Sequence, residues 1–166
     1  MIILLDGAKG AGKSSVAKIL LKRIENAVFL SFDNERKLLP GRDKVLNGIH
    51  KEPFENIIKK ARELLKSGKN LIIDCGLTKE RVLEFEQLAL DFNSKLYKFF
   101  LKAPYETLLS RVRSRDKAKS KETDINRFDE VHNIVNSKEF DEFKIIETDK
   151  SDIREVADTI LKIIRT

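Results

Sequence analysis

The chain has 166 residues, of which 41% are apolar and 36% charged, with a net charge of +6 and one cysteine. This length and composition predict one globular domain, residues 1–166, and exclude a disordered chain, an internal disulfide and a Cys/His zinc site. No apolar run approaches the roughly 20 residues of a transmembrane helix, and the start lacks a signal peptide's features, so we expect a cytoplasmic protein with no membrane partner.

Short apolar runs alternate with helical stripes of apolar residues along the chain. The apolar runs predict buried strands over 2–5, 27–30, 70–73, 96–101 and 143–146. Helices are predicted over 13–24, 79–92 and 153–164, from Pro104 onwards and after a cap at Asp124. A further helix is predicted with Pro53 in its first turn and Gly68 at its end. This alternation indicates a parallel sheet covered by helices on both faces.

The positive charge is concentrated in one segment. Residues 111–121 carry six basic side chains and one acidic side chain, a local charge of +5 within the net +6. Such a segment is typical of a local anion site or of a solvated helix face, and charge alone favours the helix face.

The first predicted strand runs into a glycine-rich loop with the sequence Gly7-Ala8-Lys9-Gly10-Ala11-Gly12-Lys13-Ser14. This sequence fits the phosphate-loop pattern G-x-x-x-x-G-K-[ST] and lies between a strand and a helix, as the pattern requires. Loop amides and the helix N-terminus would surround phosphate oxygens, Lys13 would reach the β- and γ-phosphates, and the Ser14 hydroxyl would bind Mg²⁺. We therefore expect ATP and Mg²⁺ as cofactors, with the nucleotide bound by Gly7, Ala8, Lys9, Gly10, Ala11, Gly12, Lys13, Ser14 and Ser15.

A nucleotide-binding loop of this kind occurs in switches, motors, phosphotransferases and non-catalytic binding modules. The N-K-x-D and D-x-x-G patterns of a GTPase switch are absent from the chain, and motors of this group are usually longer and act as assemblies. A small kinase is the remaining enzyme class, and it needs an acceptor site, a carboxylate beside the acceptor hydroxyl and cations around the migrating phosphoryl group.

Charged side chains follow the predicted strands at the end where ligands bind in open α/β sheets. Asp33 and Arg36 come just after the second strand, and Asp74 ends the third. Arg111 and Arg115 are four residues apart, on one face if the helix continues that far. Each has an ordinary interpretation, as a helix cap, a strand-end turn or surface charge, but their joint occurrence with a phosphate loop favours a kinase site.

These motifs resemble the P-loop kinase group that includes polynucleotide 5′-kinases, zeta toxins, seryl-tRNA kinases and adenylylsulfate kinases. The resemblance spans nearly the whole chain, and the kinase domain of polynucleotide 5′-hydroxyl kinase is the best match. It rests on the phosphate loop, Asp33-x-x-Arg36, Ile72-Ile73-Asp74 followed by Lys79-Glu80-Arg81, and Arg111-x-x-x-Arg115. It implies a three-layer P-loop NTPase fold with a five-stranded parallel sheet of order 2-3-1-4-5.

The resemblance also implies roles for individual residues. Asp33 would be the general base, Arg36 would hold a phosphate of the acceptor, and Asp74 would be a further substrate-site aspartate. Arg115 would reach the transferred phosphoryl group from a lid over about 111–127, in which Arg111 also contacts ATP. Together with Lys13, Asp33 and Arg115 form the expected catalytic set.

The sequence leaves the identity of the acceptor molecule open. The basic side chains favour a phosphate-bearing acceptor, with the 5′-OH of a polynucleotide as first choice, but they would serve ATP equally well. A small-molecule, nucleoside or adenylylsulfate-type kinase is the alternative, although Ser31-Phe32 replaces the Asp-Gly that precedes Asp-Asn-x-Arg in adenylylsulfate kinases. A non-catalytic ATP-binding module is a further alternative, and the sequence does not indicate an oligomeric state.

Overall fold

The computed structural model describes residues 1–38, 51–137 and 142–166, with Lys51 described by its backbone alone. Its strands are β1 (Ile2–Asp6), β2 (Ala27–Ser31), β3 (Asn70–Asp74), β4 (Leu96–Lys102) and β5 (Lys144–Glu147). Its helices are α1 (Lys13–Arg23), α2 (Phe32–Leu38), α3 (Lys51–Lys66), α4 (Lys79–Asp91), α5 (Tyr105–Lys117), α6 (Ile125–Asn136) and α7 (Ile153–Arg165).

The strands form one parallel sheet in the order β2-β3-β1-β4-β5. This order confirms the P-loop NTPase fold that the sequence resemblance implied. β3 lies between β2 and β1, with Leu71 in register with Ile2 on one side and with Val28 on the other. Every residue of β1 is buried, because a central parallel strand is covered on both faces.

The predicted strands agree with the observed ones to within one residue at each end, and β5 begins one residue later than expected. The cap predicted for α6 is confirmed, since a carboxylate oxygen of Asp124 accepts a hydrogen bond of 2.9 Å from the Arg127 amide. No helix is predicted over 32–38, where α2 lies. α3 begins at Lys51, so Pro53 lies in its first turn, as predicted.

Two compact units divide the described residues. The first comprises Met1–Leu4 and Leu20–Tyr97, and the second comprises Leu5–Ile19 and Lys98–Thr166. Fully buried side chains fill each unit, among them Ile57, Ile72 and Phe85 in the first and Phe99, Val112 and Phe128 in the second. The single-domain organisation remains a prediction.

α7 shows how local sequence fixes a helix end in the second unit. The Asp152 carboxylate accepts hydrogen bonds from the amides of Arg154 and Glu155, and the Glu155 carboxylate accepts one from the Asp152 amide. This reciprocal capping satisfies amides that lack carbonyl partners at a helix start. Across the described part of the chain, the helices are all too short or too polar to cross a membrane.

Candidate active site

The glycine-rich loop adopts a backbone conformation that side chains would block. Gly7 has a φ of 140° and Gly10 a φ of 93°, both in a region that favours glycine. A Cβ atom at Gly7 would lie 2.3 Å from the Leu101 carbonyl oxygen, and one at Gly10 would lie 2.7 Å from the Leu108 carbonyl oxygen. The glycines therefore allow the loop to pack directly against the end of β4 and against α5.

Hydrogen bonds hold the loop in this shape. The buried Asp6 carboxylate accepts a hydrogen bond of 2.8 Å from the Gly7 amide, and the Ala11 amide donates to the Ala8 carbonyl. The Gly12 carbonyl accepts from the amides of Ser15 and Val16, which begins α1. The positive end of the helix dipole thus adjoins the loop, in the arrangement that phosphate-binding helices use.

Lys13 lies across the loop in the second unit. Its ammonium donates hydrogen bonds to the carbonyl oxygens of Gly7, at 2.6 Å, and Ala8, at 3.3 Å. The side chain therefore carries its charge back over the loop instead of extending into solvent. The neighbouring Ser14 and Ser15 are exposed at the start of α1.

Arg111 is bound to the protein on both sides of its guanidinium. One nitrogen donates to the Gly10 carbonyl at 3.5 Å and to the Thr148 hydroxyl at 3.2 Å, and the other donates to the Thr148 carbonyl at 2.5 Å. Thr148 is itself buried, and its amide donates to the Lys102 carbonyl. Arg111 thereby ties the loop to the residue that follows β5, a partner that sequence analysis did not identify.

Arg115 lies one helical turn beyond Arg111, because α5 continues to Lys117 as the spacing required. Its guanidinium pairs with the Asp116 carboxylate at 3.1 Å, while the Thr123 hydroxyl donates to the other oxygen of that carboxylate. Burial raises the pKa of Asp116. The pKa nevertheless lies below its ordinary value, because it is lowered further by the hydrogen bond and charge of Arg115, by the Thr123 hydroxyl and by the charge of Lys9. The carboxylate is thus a local counter-charge for cations of the loop and of α5. No role is predicted for Asp116 from the sequence, although it is the one acid among the basic residues 111–121.

Replacing Asp116 with asparagine tests this counter-charge. At pH 7 we expect the thermal midpoint to fall by roughly 2–4 °C, because the charged partner of Arg115 is lost. A depressed pKa contributes stability above the ordinary aspartate pKa of about 3.9 and loses it as pH falls, so the difference should shrink in acid. Glu122→Gln removes the same charge at an exposed nearby position and is the control. Equal midpoints for Asp116→Asn and wild type at pH 7 would contradict the expectation.

Asp33 and Arg36 lie in the first unit on α2, as an exposed ion pair with 3.6 Å between the charged groups. The buried Glu35 carboxylate fixes the orientation of this helix by accepting two hydrogen bonds, of 2.7 and 2.8 Å, from the Lys60 ammonium of α3. Asp74 ends β3 and is in register with Ser31, the last residue of β2. The structure thus places Asp74 beside the residue that directly precedes α2.

The described residues contain no cluster of three or more His, Cys, Asp or Glu side chains that would hold a metal ion. Cys75, the residue after Asp74, is buried, as is common for a cysteine that packs as a small apolar side chain.

The sheet order and the loop together define a P-loop protein, the class of nucleoside triphosphate-binding folds. Within that class, a family model described as an AAA domain matches residues 2–133. The chain therefore belongs to this family, AAA_33, a P-loop kinase family. No curated protein shows significant sequence similarity to the chain.

Solved structures share the fold at low sequence identity. The Deinococcus radiodurans tunicamycin resistance protein is 21% identical with a TM-score of 0.67, and the match covers 98% of this chain and 94% of that one. The Mycobacterium tuberculosis APS kinase CysC, solved with AMPPNP and APS, is 18% identical with a TM-score of 0.59, over 99% and 97% of the two chains. A chain of the Pnkp1/Rnl/Hen1 RNA repair complex is 21% identical with a TM-score of 0.63, over 81% of this chain but 43% of its own length.

Proposed function

We propose that the protein is an ATP-dependent phosphotransferase that moves the γ-phosphate to an acceptor hydroxyl, with the 5′-OH of a polynucleotide as the first candidate. The observation that carries the proposal is the glycine-rich loop. Its glycine conformations, the start of α1 and the Lys13 ammonium provide a cradle whose shape and charge suit a triphosphate. Membership in a P-loop kinase family supports the same reaction class.

The residues of the loop fit ATP and Mg²⁺. Lys13 would exchange its carbonyl partners for β- and γ-phosphate oxygens, and the exposed Ser14 hydroxyl would be a metal ligand. Mg²⁺ usually takes one or two protein oxygens together with phosphates and waters, so a single hydroxyl is an adequate protein contribution. When bound, the ion would neutralise charge that develops on the phosphates.

Asp33 is the proposed general base. Its side chain is exposed and pairs with Arg36 on the same helix, and the contact between Glu35 and Lys60 anchors that helix to α3. Strands β2 and β3 run parallel, so α2 and the turn after β3 start from the same edge of the sheet. In a loose transition state the acceptor hydroxyl needs alignment and late removal of its proton, which a carboxylate provides.

We further propose that the acceptor carries a phosphate group. Arg36 is half exposed beside Asp33, and its guanidinium is suited to a phosphate of the acceptor. The structural likeness to a chain of an RNA repair complex agrees with a polynucleotide acceptor. The likeness to an APS kinase over nearly the full length of both chains keeps a small-molecule acceptor as the second candidate.

Incubation with γ-labelled ATP, Mg²⁺ and a panel of acceptors tests the proposal. We expect label on 5′-OH DNA or RNA, and stronger labelling of a nucleoside 3′-phosphate than of the matched nucleoside, because Arg36 would bind the extra phosphate. A reaction without acceptor measures hydrolysis separately. Label transferred only to adenylylsulfate would favour the second candidate, and label recovered only as inorganic phosphate would overturn the phosphotransferase.

A further inference from the structure

Arg81, in the first turn of α4, lies over two aromatic rings. Its guanidinium carbon is 5.0 Å from the ring centroid of Phe32 and 4.9 Å from that of Phe54. Phe54 in turn packs edge-on against the buried ring of Phe85, with 5.8 Å between centroids. The guanidinium therefore contacts both α2, through Phe32, and α3, through Phe54.

The same guanidinium also binds the turn after β3. Its Nη1 donates hydrogen bonds of 2.8 Å to the carbonyl oxygens of Cys75 and Gly76, which directly follow Asp74. Phe32 directly precedes Asp33. One side chain thus contacts the chain neighbours of Asp33, the proposed general base, and of Asp74, for which the sequence resemblance implies a substrate-site role.

We infer that Arg81 is a positioning residue that sets Asp33 and Asp74 relative to each other through α2 and the turn after β3. The expected effect on catalysis rests on the proposed function, whereas the positioning of α2 and of the turn after β3 rests on the contacts described above. A lysine would keep the charge and lose the planar group that stacks on two rings while it donates to two carbonyls.

The kinetic test compares Arg81→Lys and Arg81→Met with wild type. Because a small displacement of a catalytic group is costly, we expect kcat/KM for the acceptor to fall by about 10- to 100-fold in both variants, with an unchanged Kd for ATP. The matched control is Arg62→Lys, since the Arg62 guanidinium also lies over a ring, Phe92 at 5.9 Å, but pairs with the Asp91 carboxylate at 3.0 Å and not with the turn after β3. We expect Arg62→Lys to keep wild-type kinetics.

Hydrogen exchange tests the positioning role without turnover. Amides over 32–38 and 75–77 should exchange faster in the Arg81 variants than in wild type, while those of α1 should not change. This result would support the inference even if wild type labelled no acceptor, a failure that would count against the proposed function alone. Wild-type exchange at both segments in Arg81→Lys would overturn the inference, as would loosening that extends equally over the first unit.

Discussion

Lys13→Ala is expected to reduce phosphoryl transfer by about 10² or more. The Lys13 ammonium lies 2.6 Å from the Gly7 carbonyl, so its charge is held over the loop that is proposed to bind the phosphates. Removal of this charge leaves the developing negative charge of the transition state with one fewer preorganised partner. Single-turnover transfer from γ-labelled ATP, at saturating nucleotide, measures the loss in the chemical step.

Lys18→Ala is the matched control for Lys13→Ala. Lys18 lies on the same helix and is exposed, so its loss removes one positive charge from α1 without touching the loop. We expect wild-type transfer in this variant and an unchanged thermal midpoint. Comparable rates for Lys13→Ala and Lys18→Ala would mean that the loop does not perform phosphoryl transfer.

The elements that sequence predicted well are those whose signal is local. The strand β1 is a continuous apolar run that ends at a glycine-rich loop, and both features are read directly from neighbouring residues. The Asp124 cap is similar, because a capping side chain and the amide that it binds are three residues apart. Apolar runs do not specify which strands pair, so the order of the strands could be predicted only from the resemblance to a known kinase group.

α2 could not be predicted because its stability comes from distant residues. Its seven residues span about two turns, too few to show a helical period. The Glu35 carboxylate that anchors it binds Lys60, 25 residues later. Phe32 is held by Arg81, which no local pattern connects to it.

Separation along the chain also explains why the partners of some site residues could not be predicted from the sequence. Arg111 binds Thr148, 37 residues away, and only the fold brings the end of β5 to α5. Asp116 differs, since an acid inside a basic segment is visible in the sequence. Its link to Thr123 and to the charge of Lys9 nevertheless needs the turn between α5 and α6 and the position of the loop.

Asp33→Ala should lower the rate of phosphoryl transfer by about 10² or more while the Kd for ATP stays at its wild-type value. The side chain is 75% exposed and its ion pair with Arg36 is also exposed, so the substitution should cost little stability. The loss would therefore appear in the chemical step with the acceptor. Asp33→Asn separates two contributions, because the amide keeps an oxygen that aligns the hydroxyl but cannot take its proton.

Lys37→Ala provides the control for both Asp33 variants, since Lys37 is exposed on the same short helix. If alignment dominates, as a loose transition state implies, Asp33→Asn should retain more activity than Asp33→Ala and lose activity relative to Lys37→Ala. If proton removal dominates, the two Asp33 variants should be equally impaired. Near-normal transfer by Asp33→Ala would exclude this carboxylate as the base, because no alignment or proton transfer would then depend on it.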